Sequence, residues 1–169
     1  IIKPTDFKQD EILMTSYSLG GTSTMSLDDA TTINVINELS TIGGLGNFSA
    51  TDLPKVLAGK KVSVTPYIGN MTYGLRGSCS PKDLETMMQM MYLYLTDTRY
   101  DEEAFKSFIT RYQAMLENMA NDPMSTLQDS LSALLFDSHP FRASLKVDDI
   151  DEIDYKLALE LYEQCFSNV

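Results

Sequence analysis

Histidine has the widest chemical use of any side chain, and this chain of 169 residues has a single one, His139. Imidazole serves as a general base, a proton shuttle or a metal ligand, and each of these roles needs a partner side chain. His139 stands in a Ser-His-Pro-Phe segment with no cysteine or second histidine beside it. We interpret it as a loop residue whose ring satisfies nearby backbone groups, and a ligand or catalytic role is the alternative.

A glycine-rich segment, Gly43-Gly44-Leu45-Gly46, has the composition of a loop that binds phosphate groups. Such loops open a helix and are followed by lysine and then serine or threonine, whereas this segment follows a helical pattern and lacks that pair. The pattern instead predicts a helix C-terminus and a tight turn. Because glycine lets another backbone approach closely, Gly43, Gly44 and Gly46 are also candidate contacts for a peptide.

Acidic residues near the end of the chain do not have the spacing of a calcium loop. They are Asp148, Asp149, Asp151, Glu152 and Asp154. The D-x-D-x-D-G order of calcium loops is not met, so we interpret these carboxylates as charges and caps at a helix start.

Sulfur-containing side chains leave two questions open. Cys79 and Cys165 are too few for a disulfide framework, and sequence alone does not decide whether they pair. The methionines at 87, 88, 90 and 91 have the spacing of core residues. A flexible methionine surface for partners is the alternative.

The composition of the chain indicates its domain count and the kinds of partner that it can bind. With 43% hydrophobic residues, the chain can bury a core of ordinary size, and we expect one domain over residues 1–169. The net charge of -11 argues against nucleic acid or an anionic membrane as partner, and a peptide or protein partner fits better. No apolar run approaches the roughly 20 residues of a membrane span.

The first half of the chain predicts a strand, two helices and a hairpin. Residues 11–19 have strand composition and stop at Gly20-Gly21. A helix is predicted from Ser26 to Gly43, and a short second one over 53–58. Gly69-Asn70 is a hairpin signal between strands 61–68 and 71–79. Pro66 cannot donate to a ladder, so it belongs at an edge or a bulge.

Side-chain periodicity refines that hairpin and predicts helices for most of the remaining chain. In the second hairpin strand we expect one face to carry Met71, Tyr73, Leu75 and Cys79. Ser80-Pro81 starts a helix whose apolar stripe is Leu84, Met87, Met88, Met91, Tyr92 and Leu95. Further helices are predicted from Asp101, from Pro123 and after the loop that holds His139. Together these elements predict an α+β fold, an antiparallel sheet with helices packed on one face.

Several segments resemble, in order and spacing, the pitrilysin/insulinase family of zinc peptidases. The segments are IKPTDF at 2–7, YSLGGTS at 17–23, GGLGNFS at 43–49, GSCSPKDL at 77–84 and DEEAF at 101–105. The resemblance covers nearly the whole chain. It implies a domain of the kind that these large enzymes repeat several times.

The catalytic motif of that family is degenerate here. Catalytic domains carry H-x-x-E-H on the first helix, where two histidines bind zinc and the glutamate acts as general base. The corresponding residues are Val35 and Leu39 at the histidine positions and Glu38 at the base position. The family's third ligand, a glutamate, falls near Phe108. The resemblance therefore implies a non-catalytic domain, in which Glu38 is a solvated helix-face carboxylate; a residual general base is the alternative.

Because the motif is degenerate, the resemblance implies a supporting role for this chain within a larger protein. We expect an accessory domain of a zinc metalloendopeptidase that helps to enclose and bind peptide, with no cofactor in this chain and zinc in the parent's catalytic domain. Its partners would be sister domains of the same chain and the peptide, with homo-oligomers forming through exposed sheet edges. We expect both ends, Ile1 and Ser167-Asn168-Val169, to be cuts in a longer chain.

Three points stay open at this stage. The compartment is undetermined, although bacterial relatives of this kind are often exported to the periplasm. A structural scaffold subunit of the same superfamily is one alternative function. An independent protein-binding module is another, and it would require that the chain be a full-length protein.

Overall fold

The computed structural model describes residues 1–167, so Asn168 and Val169 of the predicted C-terminal cut lie outside the described residues. The strands are β1 (Ile12–Thr15), β2 (Ser18–Leu19), β3 (Val62–Ile68) and β4 (Thr72–Cys79). The helices are α1 (Ala30–Ile33), α2 (Ile36–Ile42), α3 (Leu53–Val56), α4 (Leu84–Thr96), α5 (Glu102–Ala120), α6 (Pro123–Leu135) and α7 (Tyr155–Phe166). Short 3-10 turns lie at Gly21–Thr24, Leu27–Asp29, Pro81–Asp83, Pro140–Arg142 and Val147–Glu152. The predicted α+β fold is confirmed.

β4 is the central strand of an antiparallel sheet, with β3 on one side and β1 and β2 on the other. The single strand predicted over residues 11–19 is interrupted at Ser16-Tyr17 without a change of register. Ser16 causes the break, because its hydroxyl, and not a backbone carbonyl, accepts the Leu75 N–H at 3.0 Å. Its own carbonyl then comes so close to Gly74 that a Cβ there would lie 2.0 Å from the oxygen.

The hairpin is confirmed, but its turn is one residue later than predicted. The Gly69 N–H donates to the Thr72 carbonyl at 2.8 Å, which leaves Asn70-Met71, not Gly69-Asn70, as the turn. Met71 is therefore exposed at the tip and does not share the buried face of Leu75 and Cys79. Pro66 lies in β3, which pairs with β4 alone within the described residues, so its predicted place at an edge is confirmed.

The helix predicted from Ser26 to Gly43 is divided. Ser26 caps the first turn as predicted, since its hydroxyl accepts the Asp28 N–H at 3.2 Å. A turn at Asn34-Val35 then separates α1 from α2. Next to this turn, the Thr32 hydroxyl accepts the Asp154 N–H at 2.9 Å and so ties the break to the start of α7.

The core lies between the sheet and the helices α2, α4 and α7. Its most buried large side chains are Val35, Ile36, Leu39, Leu45, Met87 and Tyr162. Tyr162 also donates a hydrogen bond from its hydroxyl to the Tyr94 carbonyl at 2.9 Å, so its buried oxygen is satisfied. The stripe predicted for α4 is partly wrong: Met88 and Tyr92 are exposed, whereas Met90 and Tyr94 are buried.

α5 and α6 form a helical hairpin with aspartate caps at both N-termini. Asp101 accepts the Ala104 N–H and Asp122 accepts the Ser125 N–H, each at 3.0 Å. Apolar side chains line one side of α6 and remain exposed; this α6 face consists of Met124, Leu127, Leu131, Leu134 and Leu135. Among residues 1–167, no helix has both the length and the apolar character needed to cross a membrane.

Candidate functional site

The degenerate motif lies where α2 packs into the core. Val35 and Leu39 are 2% and 0% exposed, and they share one hydrophobic cluster with Phe108 of α5, which is 8% exposed. Sequence analysis assigned these three residues to the ligand positions, and the structure brings them into the same cluster. Valine, leucine and phenylalanine side chains have no donor atom for a metal, so the residues present do not fit a zinc ion.

Glu38 is on the exposed side of the same helix. On the neighbouring helix α5, the Tyr112 ring stacks on Phe108 with centroids 5.2 Å apart. Burial raises the pKa of the Tyr112 hydroxyl, and the negative charge of Glu38 raises that pKa further. Without a bound metal to activate a water molecule, an exposed carboxylate here has the environment of a solvated helix-face residue.

Asn37, between the motif positions, makes a contact that sequence analysis missed. Its side-chain amide donates from Nδ2 to the Ile68 carbonyl at 2.9 Å and accepts the Ile68 N–H on Oδ1 at 2.7 Å. The amide therefore pairs with Ile68 as the backbone of a neighbouring strand would. No local pattern could have revealed this pair, because the two residues are 31 positions apart and belong to different elements.

Asn37 also shows which way the backbone groups of β3 point. The bonds from Ser80 N–H to Lys61 and from Gly69 N–H to Thr72 place the odd-numbered residues of β3 in the ladder with β4. The N–H and C=O groups of the even-numbered residues therefore point away from the sheet. We call these groups on Val62, Val64 and Pro66 the β3 edge, where Pro66 contributes only its C=O. Within residues 1–167 they have no hydrogen-bond partner, whereas those of Ile68 are bound by Asn37.

The glycine-rich segment forms the predicted helix end and turn. Gly44 has φ +97, and a Cβ on it would lie 2.1 Å from the Phe48 carbonyl oxygen. A Cβ on Gly43 would lie 1.9 Å from the Arg99 carbonyl oxygen. The close approach that these glycines permit is therefore made by the chain's own backbone. Gly46 is half-exposed, and peptide contact at this segment stays a prediction.

The remaining candidates are not brought together. His139 accepts the Phe141 N–H on Nδ1 at 3.3 Å, which confirms its role in satisfying local backbone. Cys79 and Cys165 are not bonded to each other, and burial raises the pKa of both thiols. Within the described part of the chain, no three His, Cys, Asp or Glu side chains cluster closely enough to share a metal ion.

The acidic residues near the C-terminus act as caps, as predicted. Asp149 accepts the Lys146 N–H at 2.7 Å, before the turn Val147–Glu152. Asp154 accepts the N–H groups of Lys156 and Leu157 at 2.8 and 3.1 Å, at the start of α7. Carboxylates at a helix N-terminus satisfy free N–H groups and complement the helix dipole.

Comparison with known proteins identifies the fold. No protein-family model matches the chain. A protein of Arabidopsis thaliana described as zinc protease PQQL-like is 21% identical over 165 residues, which is 97% of this chain and 15% of that protein. Among solved structures, the periplasmic protease PqqL from Escherichia coli is similar at TM-score 0.75 and 16% identity, over 96% of this chain and 18% of that one. A protease from Helicobacter pylori is similar at TM-score 0.70 and 13% identity, over 94% of this chain and 39% of that one.

These likenesses bear on the fold and on the extent of the chain. The chain has a pitrilysin/insulinase-like fold, as the resemblance in sequence implied, and corresponds to part of such a protein. It spans between 15% and 39% of the length of the three proteins compared.

Proposed function

We propose that this chain is an accessory, non-catalytic domain of a zinc metalloendopeptidase and helps to enclose and bind the peptide substrate. The observation that supports the proposal is the burial, in a peptidase-like fold, of Val35, Leu39 and Phe108, the apolar residues that the family resemblance places at the zinc-ligand positions. In this proposal the zinc ion and the general base belong to another domain of the parent protein. The present domain would supply binding surface for the peptide, and the other domain would carry out the cleavage.

The β3 edge is the surface that we assign to the peptide. An extended peptide can add to a free sheet edge by pairing with its outward N–H and C=O groups. Val62 and Val64 offer both groups, while Pro66 offers only a carbonyl and Ile68 is already bound by Asn37. The peptide would therefore pair along the first part of β3 and stop beside α2.

The α6 face is the surface that we assign to a sister domain of the same parent chain. Its leucines are exposed, and Asp129 is the only charged residue of α6. A contiguous apolar helix face of this kind is typical of an interface. The much greater length of the compared proteins supports a partner within the same chain. Self-association through free sheet edges stays a prediction, and a periplasmic or otherwise exported parent is supported by the likeness to the Escherichia coli protease.

The peptide proposal is tested by hydrogen exchange with a short unstructured peptide. Binding should slow exchange of the Val62 and Val64 amides, because their N–H groups become bonded. Val62→Pro removes an outward N–H at a half-buried position and keeps the ladder with β4, so it should weaken binding, whereas Glu38→Gln should not. A peptide N-methylated at alternate positions makes the same test on the unaltered chain. Unchanged affinity for both the proline variant and the N-methylated peptide would contradict the proposal.

Activity provides the second test. The chain should not cleave an unfolded protein, with or without added zinc, because its motif positions hold no ligand atoms. Cleavage by the unaltered chain that a chelator abolishes would show that the alignment of Val35 and Leu39 with the histidines is wrong.

A further inference from the structure

A cavity of about 520 Å³ lies beside the loop that holds His139. One side is formed by the segment 22–27 and by Asn70 at the hairpin tip, and the other by the loop between α6 and the turn Pro140–Arg142. None of its lining residues belongs to the degenerate motif or to the β3 edge. Its floor is apolar, formed by Met25, Leu27, Phe136 and Phe141.

Several bonds fix the shape of the loop beside this cavity. Asn34 of the α1–α2 turn donates from Nδ2 to the Pro140 carbonyl at 3.3 Å, and Ser132 donates from its hydroxyl to the Arg142 carbonyl at 3.0 Å. Asp137 and Ser138 have φ of 50 and 53, in the left-handed region that residues with a Cβ rarely adopt. Both anchors lie at the Pro140–Arg142 end of the loop, and they hold it to the α1–α2 turn and to α6 close to the two residues with positive φ.

The described lining of the cavity contains one cation, Arg142, and polar side chains that can donate hydrogen bonds, but no carboxylate. Arg142 has its guanidinium carbon 5.2 Å from the centroid of the Phe136 ring, and within residues 1–167 no carboxylate accepts from that guanidinium. Guanidinium is a donor only. Because Nδ1 of His139 accepts the Phe141 N–H, the neutral ring has its proton on Nε2 and donates there too. The Asn70 amide adds a further donor at the opposite wall.

We propose that this cavity binds a carboxylate attached to an apolar group, as at the C-terminus of a peptide whose last side chain is apolar. The carboxylate would accept from the Arg142 guanidinium and the His139 Nε2–H, and the side chain would lie on Phe136 and Phe141. Charged hydrogen bonds to guanidinium are strong and directional, which matches a carboxylate better than a neutral amide. The net charge of -11 disfavours anions at long range, so these local donors must supply the selectivity. The site is separate from the β3 edge and does not depend on the function proposed there.

The test is an NMR titration of the 169-residue chain with N-acetyl-leucyl-phenylalanine, as the free acid and as the C-terminal amide. The free acid should shift the backbone amide resonances of residues 136–139 and 141–142 and of Thr22 and Ser23, and it should bind at least about tenfold more tightly than the amide. 3-Phenylpropionate distinguishes the source of the carboxylate: weaker binding than the peptide acid indicates a peptide terminus, and equal binding indicates a small aromatic acid.

Arg142→Gln and Arg111→Gln provide the matched variants. Arg142→Gln should reduce the affinity for the free acid by about tenfold or more and leave the affinity for the amide nearly unchanged. Arg111→Gln, on an exposed part of α5 away from the cavity, should change neither. Equal affinity for acid and amide, or resonance shifts confined to other residues, would overturn the proposal. If the shifts appear at Val62 and Val64 instead, the peptide proposal survives and the cavity proposal fails.

Discussion

The α2 helix and the α6 face both present apolar side chains at helical spacing, yet only one of them is covered. Val35, in the turn before α2, and Leu39 within it are almost fully buried, at 2% and 0% exposure, while Leu134 and Leu135 of α6 are 80% and 72% exposed. An apolar stripe therefore predicts that a helix buries one side, but not which part of the protein covers it. For α2 the cover is the core of this chain. For α6 no cover is present among residues 1–167.

The largest effect that we expect comes from restoring the histidines. Val35→His with Leu39→His should lower the free energy of unfolding by about 4–6 kcal/mol, because two imidazoles would replace well-packed hydrocarbon inside the core. The variant should still bind far less than one zinc ion per chain, since Phe108 supplies no third ligand. Urea unfolding and elemental analysis measure these two results. A variant that is as stable as the original chain and retains zinc after dialysis would contradict them.

A direct comparison of the two helices uses the same substitution in each. Leu39→Ala should cost about 2–5 kcal/mol of stability, because it leaves a cavity in a packed core. Leu131→Ala on the α6 face should change stability by no more than about 0.5 kcal/mol, since its side chain is half-exposed already. Denaturant midpoints give both values. Equal losses of stability would show that α6 is packed in solution.

A smaller effect is expected from Asn37, the polar residue that links α2 to β3. Asn37→Ala removes two hydrogen bonds to Ile68 and should cost about 1–2 kcal/mol. Asn118→Ala on α5 is the control, because Asn118 is exposed and its side chain has no hydrogen-bond partner in the described part of the chain. Each variant replaces an asparagine by alanine within a helix. The difference between their losses of unfolding free energy therefore measures the hydrogen bonds between Asn37 and Ile68. Faster hydrogen exchange of the Ile68 amide is the local measurement; unchanged exchange would mean that the Asn37 bonds do not persist.

The smallest effects concern acid stability at the two helix starts. Asp83, before α4, has its pKa lowered mainly by the Ser80 hydroxyl, which donates at 2.6 Å, and next by the Lys61 N–H. Asp122, before α6, has its pKa lowered mainly by the Ser125 hydroxyl. A lowered pKa means that each carboxylate stabilises the fold above its unfolded pKa of about 3.9, and that this stabilisation is lost as the pH falls through the folded value.

The two serines separate these sites experimentally. Asp83 also accepts the Lys61 N–H, and Lys61 lies 22 positions away beside β3, so Asp83 links the start of α4 to the sheet. Ser80→Ala should therefore move acid unfolding of the whole chain to higher pH. Ser125→Ala should affect only the helix content of α6, since Asp122 bonds within its own helix. Circular dichroism and tyrosine fluorescence between about pH 2 and 6 distinguish local from global change. A global shift from the Ser125 variant would show that α6 is coupled to the core.

Features fixed by neighbouring residues could be predicted from the sequence. The caps at Ser26, Asp101 and Asp122 depend on side chains within three positions, and all three were predicted as helix starts. The stripe of α4 was only partly predicted because nearly every position from Met87 to Leu95 is apolar, so periodicity does not identify the buried side. The turn was placed one residue early because both dipeptides contain Asn70.

Features that depend on distant contacts could not be predicted. The break of the first strand depends on the Ser16 hydroxyl meeting Leu75, and the divided first helix adjoins a bond between Thr32 and Asp154. The contact of Asn37 with Ile68 is of the same kind. The family resemblance supplied the register of the degenerate motif, and the structure buries Val35, Leu39 and Phe108 in the core; their alignment with the zinc ligands stays a prediction. The motif's neighbour Asn37 stayed unnoticed.

The gap that Pro66 and Asn37 leave in the β3 edge has a consequence for fibril formation. Cross-β growth needs an uninterrupted row of backbone donors and acceptors that each arriving chain copies and presents to the next. On β3 that row is missing the donor at Pro66 and is closed at Ile68, where a side-chain amide occupies the place of the next strand. One extended segment can pair with Val62 and Val64, but the surface that it meets is too short to template a stack. Under the proposed function, the domain would hold a single unfolded chain without seeding an aggregate.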